Sequence, residues 1–477
     1  MLNALTLSTD LTRSSDAWFG RTPTRWTILP ARALFDEIKL TGRESEPMLS
    51  VTIRKGVIPQ SDLLSDSSKK DNSNLDRSKY KFVEPGDIVY NKMRAWQGAL
   101  GLSNHRGIVS PAYVVMRPRH GYGRFLSELM RTPAFAKEAE RWSYGITSDM
   151  WSLRPEHFKM IFFPIAPADE QAAIVKYLRH AHSRIDHAIA AKHKLVALLE
   201  EQRQAIIHKV VTRGLDQAVP YKESGIPFLD EIPKSWSTKK LKSLISGGPK
   251  NGISPQITED GDLETFSLSA IRGGRLDVRP SDLKYVSRDS VTQPDDYRLK
   301  AGDVLLVRGN GNIDLVGRAA EVAEDRPNSI YPDLIIRLRT KPEIDSRYLV
   351  MLINSPSVRR QVEVAARTAV GTFKINGENV KNLLIPVPAL SEQIEIIEAC
   401  EDRTKSIRLS INTSVREISL LREFRTRLTS EVVAGRVDVR EIAAKLPELA
   451  DDEIEGDEVL ESDEMLETKF NVASADE

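Results

Sequence analysis

Two long segments of the chain place apolar residues three or four positions apart. In residues 169–213, which hold neither proline nor glycine, eight of ten such positions are apolar, and Gly214 follows as a helix C-cap. From Ile397 to Val432, eight of eleven such positions are apolar. Both patterns predict long helices with coiled-coil seams. Because either helix alone would be marginally stable in water, we expect the two to pack on each other or on a partner.

The regions outside these helices show the patterns of mixed α/β domains. Short β-rich runs bounded by glycine and proline predict strands, and they are Asp87–Tyr90, Tyr113–Met116, Val304–Val307 and Leu334–Leu338. Amphipathic patterns predict helices at Tyr122–Trp142 and Ser346–Ala366. The predicted fold class is therefore α+β, with two mixed α/β domains separated by two long helices.

The chain repeats itself once, and the spacing of the repeat is informative. Glu170-Gln171 recurs as Glu392-Gln393 at an offset of 222 residues, and the same offset holds along both helical segments to Asp216 and Asp438. Upstream the offset drifts, since Pro23–Trp26 matches Pro233–Trp236 at 210 residues. Drift places insertions in loops, where they cost little. The constant offset means that neither helical segment carries an insertion relative to the other, as expected of continuous helices whose length is functionally important.

The repeat divides the chain into five predicted segments. They are a first domain at 1–166, a first helix at 167–214, a second domain at 215–388, a second helix at 389–438, and an acidic, disordered tail at 439–477. If the helices pack as an antiparallel coiled coil, a pseudo-two-fold axis relates the two halves. About 45 helical residues would then form a rod of roughly 65–70 Å. Such a rod could hold two DNA-reading domains one to two turns of the double helix apart.

The formal net charge of zero hides an uneven distribution. Residues 447–477 contain 13 acidic residues and one basic residue, so residues 1–446 carry 67 bases against 55 acids, or about +12. A basic body suits a polyanionic partner such as nucleic acid, although a solvated surface with a solubilising tail would give the same count. No apolar run approaches the ~18 residues of a membrane span, and no secretory signal is evident, so we expect a cytoplasmic protein without membrane contact.

No catalytic or cofactor-binding motif is complete. The single cysteine, Cys400, excludes a disulfide framework and a four-thiolate zinc site. Gly309–Asn312 lacks the third glycine of a dinucleotide loop, and Glu37–Lys39 lacks the Pro-Asp pair of a nuclease site. The histidines of the first helix form no His-Glu-x-x-His motif, and there is no phosphate loop or methyltransferase signature. We expect no catalysis, metal or cofactor in this chain.

Over roughly residues 15–440 the chain resembles the specificity (S) subunits of type I restriction–modification enzymes, the HsdS family. The duplicated Glu-Gln boundary carries the resemblance, together with the runs Gly86–Arg94 and Gly302–Asn310. The resemblance implies a non-catalytic subunit in which each α/β domain is a target-recognition domain for one half of a split, asymmetric DNA sequence. It also implies that the helices bind two methyltransferase (M) subunits and that motor–nuclease (R) subunits join them. S-adenosylmethionine, ATP and magnesium would bind those partner subunits. The acidic tail lies outside the family pattern.

Candidate DNA contacts are polar and aromatic residues of loops that follow predicted strands or precede the helices. Arg and Gln can read base edges, Lys pairs with phosphate, and an aromatic ring can stack or wedge. In the first domain the candidates are Arg54, Lys55, Lys92, Arg94, Trp96, Gln97, Tyr144 and Thr147. In the second domain they are Arg272, Arg275, Arg308, Asn310, Asn312, Thr372 and Lys374. Each could instead belong to a solvated loop, with Trp96 packed into the core.

Two other classes of protein remain open from the sequence. One is a single-chain methyltransferase or nuclease with embedded recognition domains, against which the missing motifs argue. The other is a coiled-coil assembly protein without DNA binding, which would not explain two divergent basic domains on a duplicated, length-conserved hinge.

Overall fold

A computed structural model describes residues 6–8, 10–13, 18–65, 76–146, 150–369 and 372–448. The chain forms two compact units, each of which contains parts of both long helices. Among the described residues, the first unit comprises residues 6–193 and 416–448, and the second comprises residues 194–415. Each predicted long helix is thus divided between the two cores on which its halves pack, whereas the repeat had suggested separate helical segments at 167–214 and 389–438.

The first α/β region contains thirteen strands and five short helices among its described residues. The strands are β1 (Thr6–Leu7), β2 (Leu11–Arg13), β3 (Arg21–Pro23), β4 (Thr27–Pro30), β5 (Phe35–Ile38), β6 (Leu49–Thr52), β7 (Gly56–Pro59), β8 (Lys81–Val83), β9 (Ile88–Asn91), β10 (Leu100–Leu102), β11 (Gly107–Val109), β12 (Tyr113–Pro118) and β13 (Phe162–Ile165). The helices are α1 (Ala31–Leu34), α2 (Gln60–Ser65), α3 (Gly123–Met130), α4 (Pro133–Arg141) and α5 (Pro155–Phe158).

The rest of the chain begins with the long helix α6 (Ala168–Arg213). Its strands are β14 (Tyr221–Ile226), β15 (Leu229–Pro233), β16 (Ser237–Lys240), β17 (Ile245–Asn251), β18 (Leu263–Phe266), β19 (Ile271–Arg272), β20 (Arg275–Leu276), β21 (Leu283–Val286), β22 (Asp303–Val307), β23 (Gly309–Asn310), β24 (Ala319–Glu321), β25 (Ile335–Thr340), β26 (Arg367–Ala369), β27 (Thr372–Lys374), β28 (Leu384–Val387) and β29 (Val437–Asp438). Its other helices are α7 (Ser346–Ile353), α8 (Pro356–Ala365), α9 (Gly377–Lys381), α10 (Leu390–Val433) and α11 (Arg440–Lys445).

The central sheet of the first unit has the strand order β10-β9-β12-β5, and neighbouring strands are antiparallel. Ile88, Val89 and Tyr90 are fully buried, because side chains from both faces of β9 enter hydrophobic clusters. Strand β13 pairs with β4 and leads directly into α6. The sheet and the start of the long helix therefore share one core.

The central sheet of the second unit has six strands in the order β17-β25-β22-β24-β20-β19. Buried Asp303 opens β22 and forms an ion pair with Arg339 at 2.9 Å, as buried Asp87 does with Arg117 at 2.8 Å in the first unit. The same pair thus supports both copies of the repeated Gly-Asp strand start.

The two amphipathic segments that were predicted as single helices are each broken into two. In the first, Thr132 accepts a hydrogen bond from the backbone N of Phe135 and caps α4, whose first residue is Pro133. In the second, Pro356 is again the first residue of the new helix α8, but the Ser355 hydroxyl donates back to the Leu352 carbonyl and does not cap α8. Proline lacks the N–H that would continue the preceding helix, so a new helix starts at each position.

The duplicated Glu-Gln motif fixes the start of each long helix. The Nε2 of Gln171 donates to the Ala166 carbonyl at 2.7 Å, and Gln393 donates to the Pro388 carbonyl at 3.1 Å. Glu392 accepts from the Trp236 indole at 3.0 Å, whereas Glu170 accepts from Arg25. Both carboxylates stand in the first helical turn, where they also suit the helix dipole.

The long helices run antiparallel where they pack in the first unit. His182 contacts Thr429, Asp186 contacts Arg425, and Lys192 contacts Glu417, so residue numbers rise on α6 as they fall on α10. In the second unit, Ile207, Val210 and Val211 share a core with Ile396, Ile397 and Cys400. The predicted fold class, with its two long helices, is confirmed.

The glycine that ends each long helix lies against a repeated tryptophan. Gly214 has φ of 74° and Gly435 has φ of 70°, the left-handed conformation of a helix C-cap. A β-carbon at Gly435 would lie 2.7 Å from Cζ2 of Trp26, and one at Gly214 would lie 3.3 Å from Cζ2 of Trp236. Conformation and close packing therefore both require glycine.

The predicted start of the disordered tail at residue 439 is too early, because the chain is still folded there. Strand β29 pairs with β1, and helix α11 follows, with Val439, Ala443 and Leu446 buried. These apolar residues recur three or four positions apart, which gives the segment a face to bury despite its acidic surroundings. Residues 449–477 of the predicted tail lie outside the described residues. In the described part of the chain, no helix combines the length and apolarity that crossing a bilayer requires.

Candidate nucleic-acid interface

In the first unit, the loop after β9 presents Arg94 and Gln97 on a compact turn. The side-chain oxygen of Asn91 accepts from the Met93 N at 3.0 Å, and the Trp96 indole donates to the Met93 carbonyl at 3.0 Å. A single 3₁₀ turn at Ala95–Gln97 ends at a left-handed glycine. Arg94 and Gln97 are exposed as a result, while Trp96 is half-buried.

A second candidate segment packs against this loop. The backbones of Tyr144 and Ser152 pair with each other, and the ring centroids of Trp96 and Trp151 lie 5.5 Å apart. Tyr144 is 56 % exposed and meets His157 edge-on at 4.8 Å. The structure thus brings together Tyr144 and the Lys92–Gln97 loop, and Trp96 supports the loop by packing. Thr147 lies outside the described residues.

Arg54 and Lys55 lie in the turn between β6 and β7. The Arg54 carbonyl accepts from the Arg131 guanidinium at 2.5 Å, and the Lys55 N donates to the Thr52 hydroxyl at 2.9 Å. The Arg54 side chain is exposed and that of Lys55 is half-buried. The predicted turn is therefore present, with its backbone held in place.

Positive charge accumulates beside the Lys92 loop. Burial lowers the pKa of Lys81, and the charges of Lys92 and Lys39 lower this pKa further, against the opposing effect of Glu37. Lys81 donates to the Tyr113 carbonyl at 2.6 Å. A bound phosphate would relieve this mutual repulsion.

In the second unit, Arg308, Asn310 and Asn312 follow β22 on a loop that the two amides stabilise. The Oδ1 of Asn310 accepts from the Asn312 N, and the Oδ1 of Asn312 accepts from the Asp314 N, both at 2.9 Å. Because their oxygens are used within the loop, the Nδ2 groups are the donors that these amides can offer to a base. Arg308 donates to the Asp333 carbonyl at 3.4 Å, and its buried Nε has no hydrogen-bond partner among the described residues.

Thr372 and Lys374 lie beside that loop. Strand β27, which contains both residues, pairs with β23 so that Lys374 is opposite Gly309 and Phe373 is opposite Asn310. The Ile375 N donates to the Arg308 carbonyl at 2.9 Å. The structure therefore brings five of the seven predicted contacts of this unit onto one small sheet and its loop, namely Arg308, Asn310, Asn312, Thr372 and Lys374.

The two candidate loops hold equivalent positions in the two units. The Lys92 carbonyl accepts from the Leu153 N at 2.9 Å, as the Arg308 carbonyl does from the Ile375 N. The Lys92 N donates to the Ala112 carbonyl at 3.3 Å, and the Arg308 N donates to the Leu334 carbonyl at 2.7 Å. The same backbone frame thus presents a different set of side chains in each unit.

The structure places the remaining two candidates elsewhere. Arg272 is largely buried, its guanidinium bound to Asp282 and to the Ser269 carbonyl. Arg275 is 65 % exposed and lies 3.5 Å from Glu401 of α10. The basic turn at Gly273-Gly274 is present, but Arg272 stabilises the fold through its ion pair, which sequence spacing could not reveal.

Four exposed apolar side chains, which are not among the predicted contacts, lie on the segments that hold the first unit's candidates. Ile146 is 92 % exposed, and Ile53, Met93 and Met150 are also exposed. Apolar groups can contact thymine methyls or wedge between bases. The signal was present in the sequence, since each apolar residue stands in a predicted polar loop.

The described residues contain no cluster of three or more His, Cys, Asp or Glu side chains that could hold a metal ion. On α6, burial lowers the pKa of His182 to about 3, with smaller contributions from the charges of Arg425 and Arg131. His182 is therefore neutral and shares a hydrogen bond of 2.9 Å with the Thr429 hydroxyl.

Comparisons with known proteins agree on one class. No protein-family model matches the chain. The chain is 23 % identical over 381 residues to the EcoKI specificity subunit of Escherichia coli K12, covering 75 % of this chain and 78 % of that protein. It is 22 % identical over 373 residues to the StySPI specificity subunit of Salmonella potsdam, with the same coverage.

A solved structure shares the fold. A chain from work on complex assembly and conformational transition of a type I R-M system matches 87 % of this chain and 99 % of its own length, with a TM-score of 0.58 and 14 % identity. The chain is therefore similar over most of its length to type I restriction enzyme specificity subunits, and it shares its fold with a chain of a type I R-M system.

Proposed function

We propose that this chain recognises a split, asymmetric sequence in double-stranded DNA and directs partner subunits to it. The first unit would read one half of the sequence through the Lys92–Gln97 loop and its neighbours. The second unit would read the other half through the Arg308–Asn312 loop and β27. No catalytic step is assigned to the chain.

The equivalence of the two loops carries this proposal. Both are held by the same backbone hydrogen bonds, yet one presents Lys92, Arg94 and Gln97 and the other presents Arg308 and two asparagines. A duplicated frame with different donors is what two different half-sites require. A coiled-coil assembly protein would have no need of this arrangement.

The partners follow from the family. Two methyltransferase subunits would bind along α6 and α10, and motor–nuclease subunits would join them in the cytoplasm. S-adenosylmethionine, ATP and magnesium would bind those subunits. The exposed leucines of the helices, Leu195, Leu198, Leu409 and Leu420, support a role for the helices in binding partners.

Exchange of one recognition domain tests the proposal. Residues 1–166 would be replaced by those of a related specificity subunit, and the adenine methylation of the host genome would be sequenced. We expect one half of the methylated motif to change while the other half stays the same. An exchange of residues 215–388 is the matched control and should change only the other half. If either exchange altered both halves, independent reading would be disproved.

A further inference from the structure

We propose that a basic groove on the first unit binds the acidic C-terminal segment of the same chain, residues 449–477. The basic groove is defined by Arg124, Lys176, Arg179, His180 and Arg440. By occupying this surface, the segment would keep other polyanions, non-specific DNA above all, away from it. This inference goes beyond the proposed function and does not depend on the target sequence.

The groove has the size and charge to accept an extended acidic peptide. It encloses about 710 Å³ between the loop that precedes α3, the first turns of α6, and α11. Four of its lining residues are Arg or Lys, and two are acidic, of which one is Glu448 itself. Arg440 is paired with Asp438, so Arg124, Lys176 and Arg179 against Asp169 leave the surface cationic before the C-terminal segment is counted.

The chain enters this groove at the end of its described part. Lys176 binds the carboxylate of Glu448 at 2.6 Å, and His180 contacts the Pro447 carbonyl at 2.9 Å. The hydrogen bond and charge of Lys176 lower the pKa of Glu448, with smaller contributions from Arg179 and His180. Buried Ala443 and Leu446 anchor the segment just before this point.

The segment that follows carries complementary charge. Residues 449–477 contain 12 acidic residues and one basic residue, and nine of the 14 residues at 451–464 are acidic. Tethering at Glu448 gives these carboxylates a high effective concentration at the groove, on the order of millimolar. An untethered polyanion would have to displace them.

Zero-length carbodiimide cross-linking of the full chain, followed by mass spectrometry, tests occupancy directly. We expect links from Lys176 to acidic residues of 451–464, and we expect them to disappear in about 1 M salt. Lys39, which is 70 % exposed, is the comparison lysine, since it is far more accessible than Lys176. If the acidic segment cross-linked to Lys39 as readily as to Lys176, the proposal would be wrong.

Binding of a non-specific duplex of about 30 base pairs tests the consequence. A tail variant would carry Asn or Gln at the nine acidic positions of 451–464, and a groove variant would carry Lys176→Gln and Arg179→Gln. At about 50 mM salt we expect the tail variant to bind about fivefold more tightly than the native chain. Adding the groove substitutions should abolish that gain.

The control for lost charge replaces two exposed lysines of the second unit, Lys234→Gln and Lys242→Gln, in the tail variant. This control should retain the gain. No gain in the tail variant, or a gain that survives the groove substitutions, overturns the proposal. The latter result would show that the segment acts only through long-range charge or that DNA does not enter the groove. Circular dichroism would verify that each variant is folded.

Discussion

The two units hold their candidate loops in the same backbone frame but stabilise them by different means. In the first unit, Trp96 packs on Trp151 and donates its indole N–H within the loop, so aromatic contact supports an exposed Arg94. In the second unit, amide oxygens form the turns and the paired strand β27 supports the loop. The comparison shows that a duplicated fold can keep its frame while each copy changes what it presents.

The helical seams differ as well. In the first unit, neutral His182 meets Thr429, and Asp186 meets Arg425. The 222-residue offset places Thr404 at the position of His182 and Ile207 at the position of Thr429. Only the first unit's seam therefore has a titratable group at this position.

The salt concentration should have the largest effect on DNA affinity. The dependence of affinity on salt tests whether both units contact phosphate. With about +12 on residues 1–446, DNA affinity of the assembled complex should fall by about 10³ between ~50 and ~200 mM salt. Lys92→Gln in one unit and Lys374→Gln in the other should each reduce the slope of log K against log salt by about one. The measurement is fluorescence anisotropy over a salt series. A flat response would rule out direct binding by the basic body.

Removal of one arginine from each loop should distinguish the two modes of support. Arg308 is half-buried and already positioned by the Asp333 carbonyl, so Arg308→Ala should cost about 3 kcal/mol of specific binding. Arg94 is exposed and must be ordered on binding, so Arg94→Ala should cost about 1 kcal/mol. Each variant should relax the methylated motif in its own half only. Equal losses in both halves would contradict separate reading.

Acid should destabilise the first unit through His182. Its folded pKa is about 3, below the ordinary value of about 6.5, so the unfolded chain binds the extra proton between these values. Stability is thus fully present above about pH 6.5 and falls as the pH falls, by about 2 kcal/mol at pH 5. His182→Gln, which can keep a hydrogen bond to Thr429, should remove most of this loss. Urea unfolding at pH 5 and pH 7.5 would measure it, and an unchanged pH dependence would refute the assignment.

Loss of a turn-forming amide should have the smallest effect. Asn312→Ala removes the acceptor for the Asp314 N, at a cost of about 1 kcal/mol. We expect weaker binding at the second half-site, whereas Asn312→Asp should retain the turn. Methylation of oligonucleotides that vary in only one half would measure the change. If Asn312→Asp were as impaired as Asn312→Ala, the amide would act through its Nδ2 rather than through the turn.

Much of the architecture could be predicted because it is encoded in local and periodic signals. The helix pattern ends at Gly214, close to the observed end of α6 at Arg213, and the strand starts at Asp87 and Asp303 follow glycine in both copies. Pro133 and Pro356 mark the helix breaks in the sequence as well, but the amphipathic pattern continues through both prolines and hides them. In the folded segment at 439–446, the acidic composition of the C-terminal region obscures a short apolar periodicity, so composition alone predicts a disordered tail there.

Periodicity and constant spacing are properties of the chain alone, so they are enough to predict the two long helices, the single repeat and the equivalence of the two loops. Which distant segments meet is settled by the tertiary fold. It joined β27 to the Arg308 loop, Trp151 to Trp96, and β29 to β1 across almost the full length of the chain. It also committed Arg272 to Asp282. Such pairings depend on side-chain packing and strand partners far apart in sequence, which no local pattern specifies.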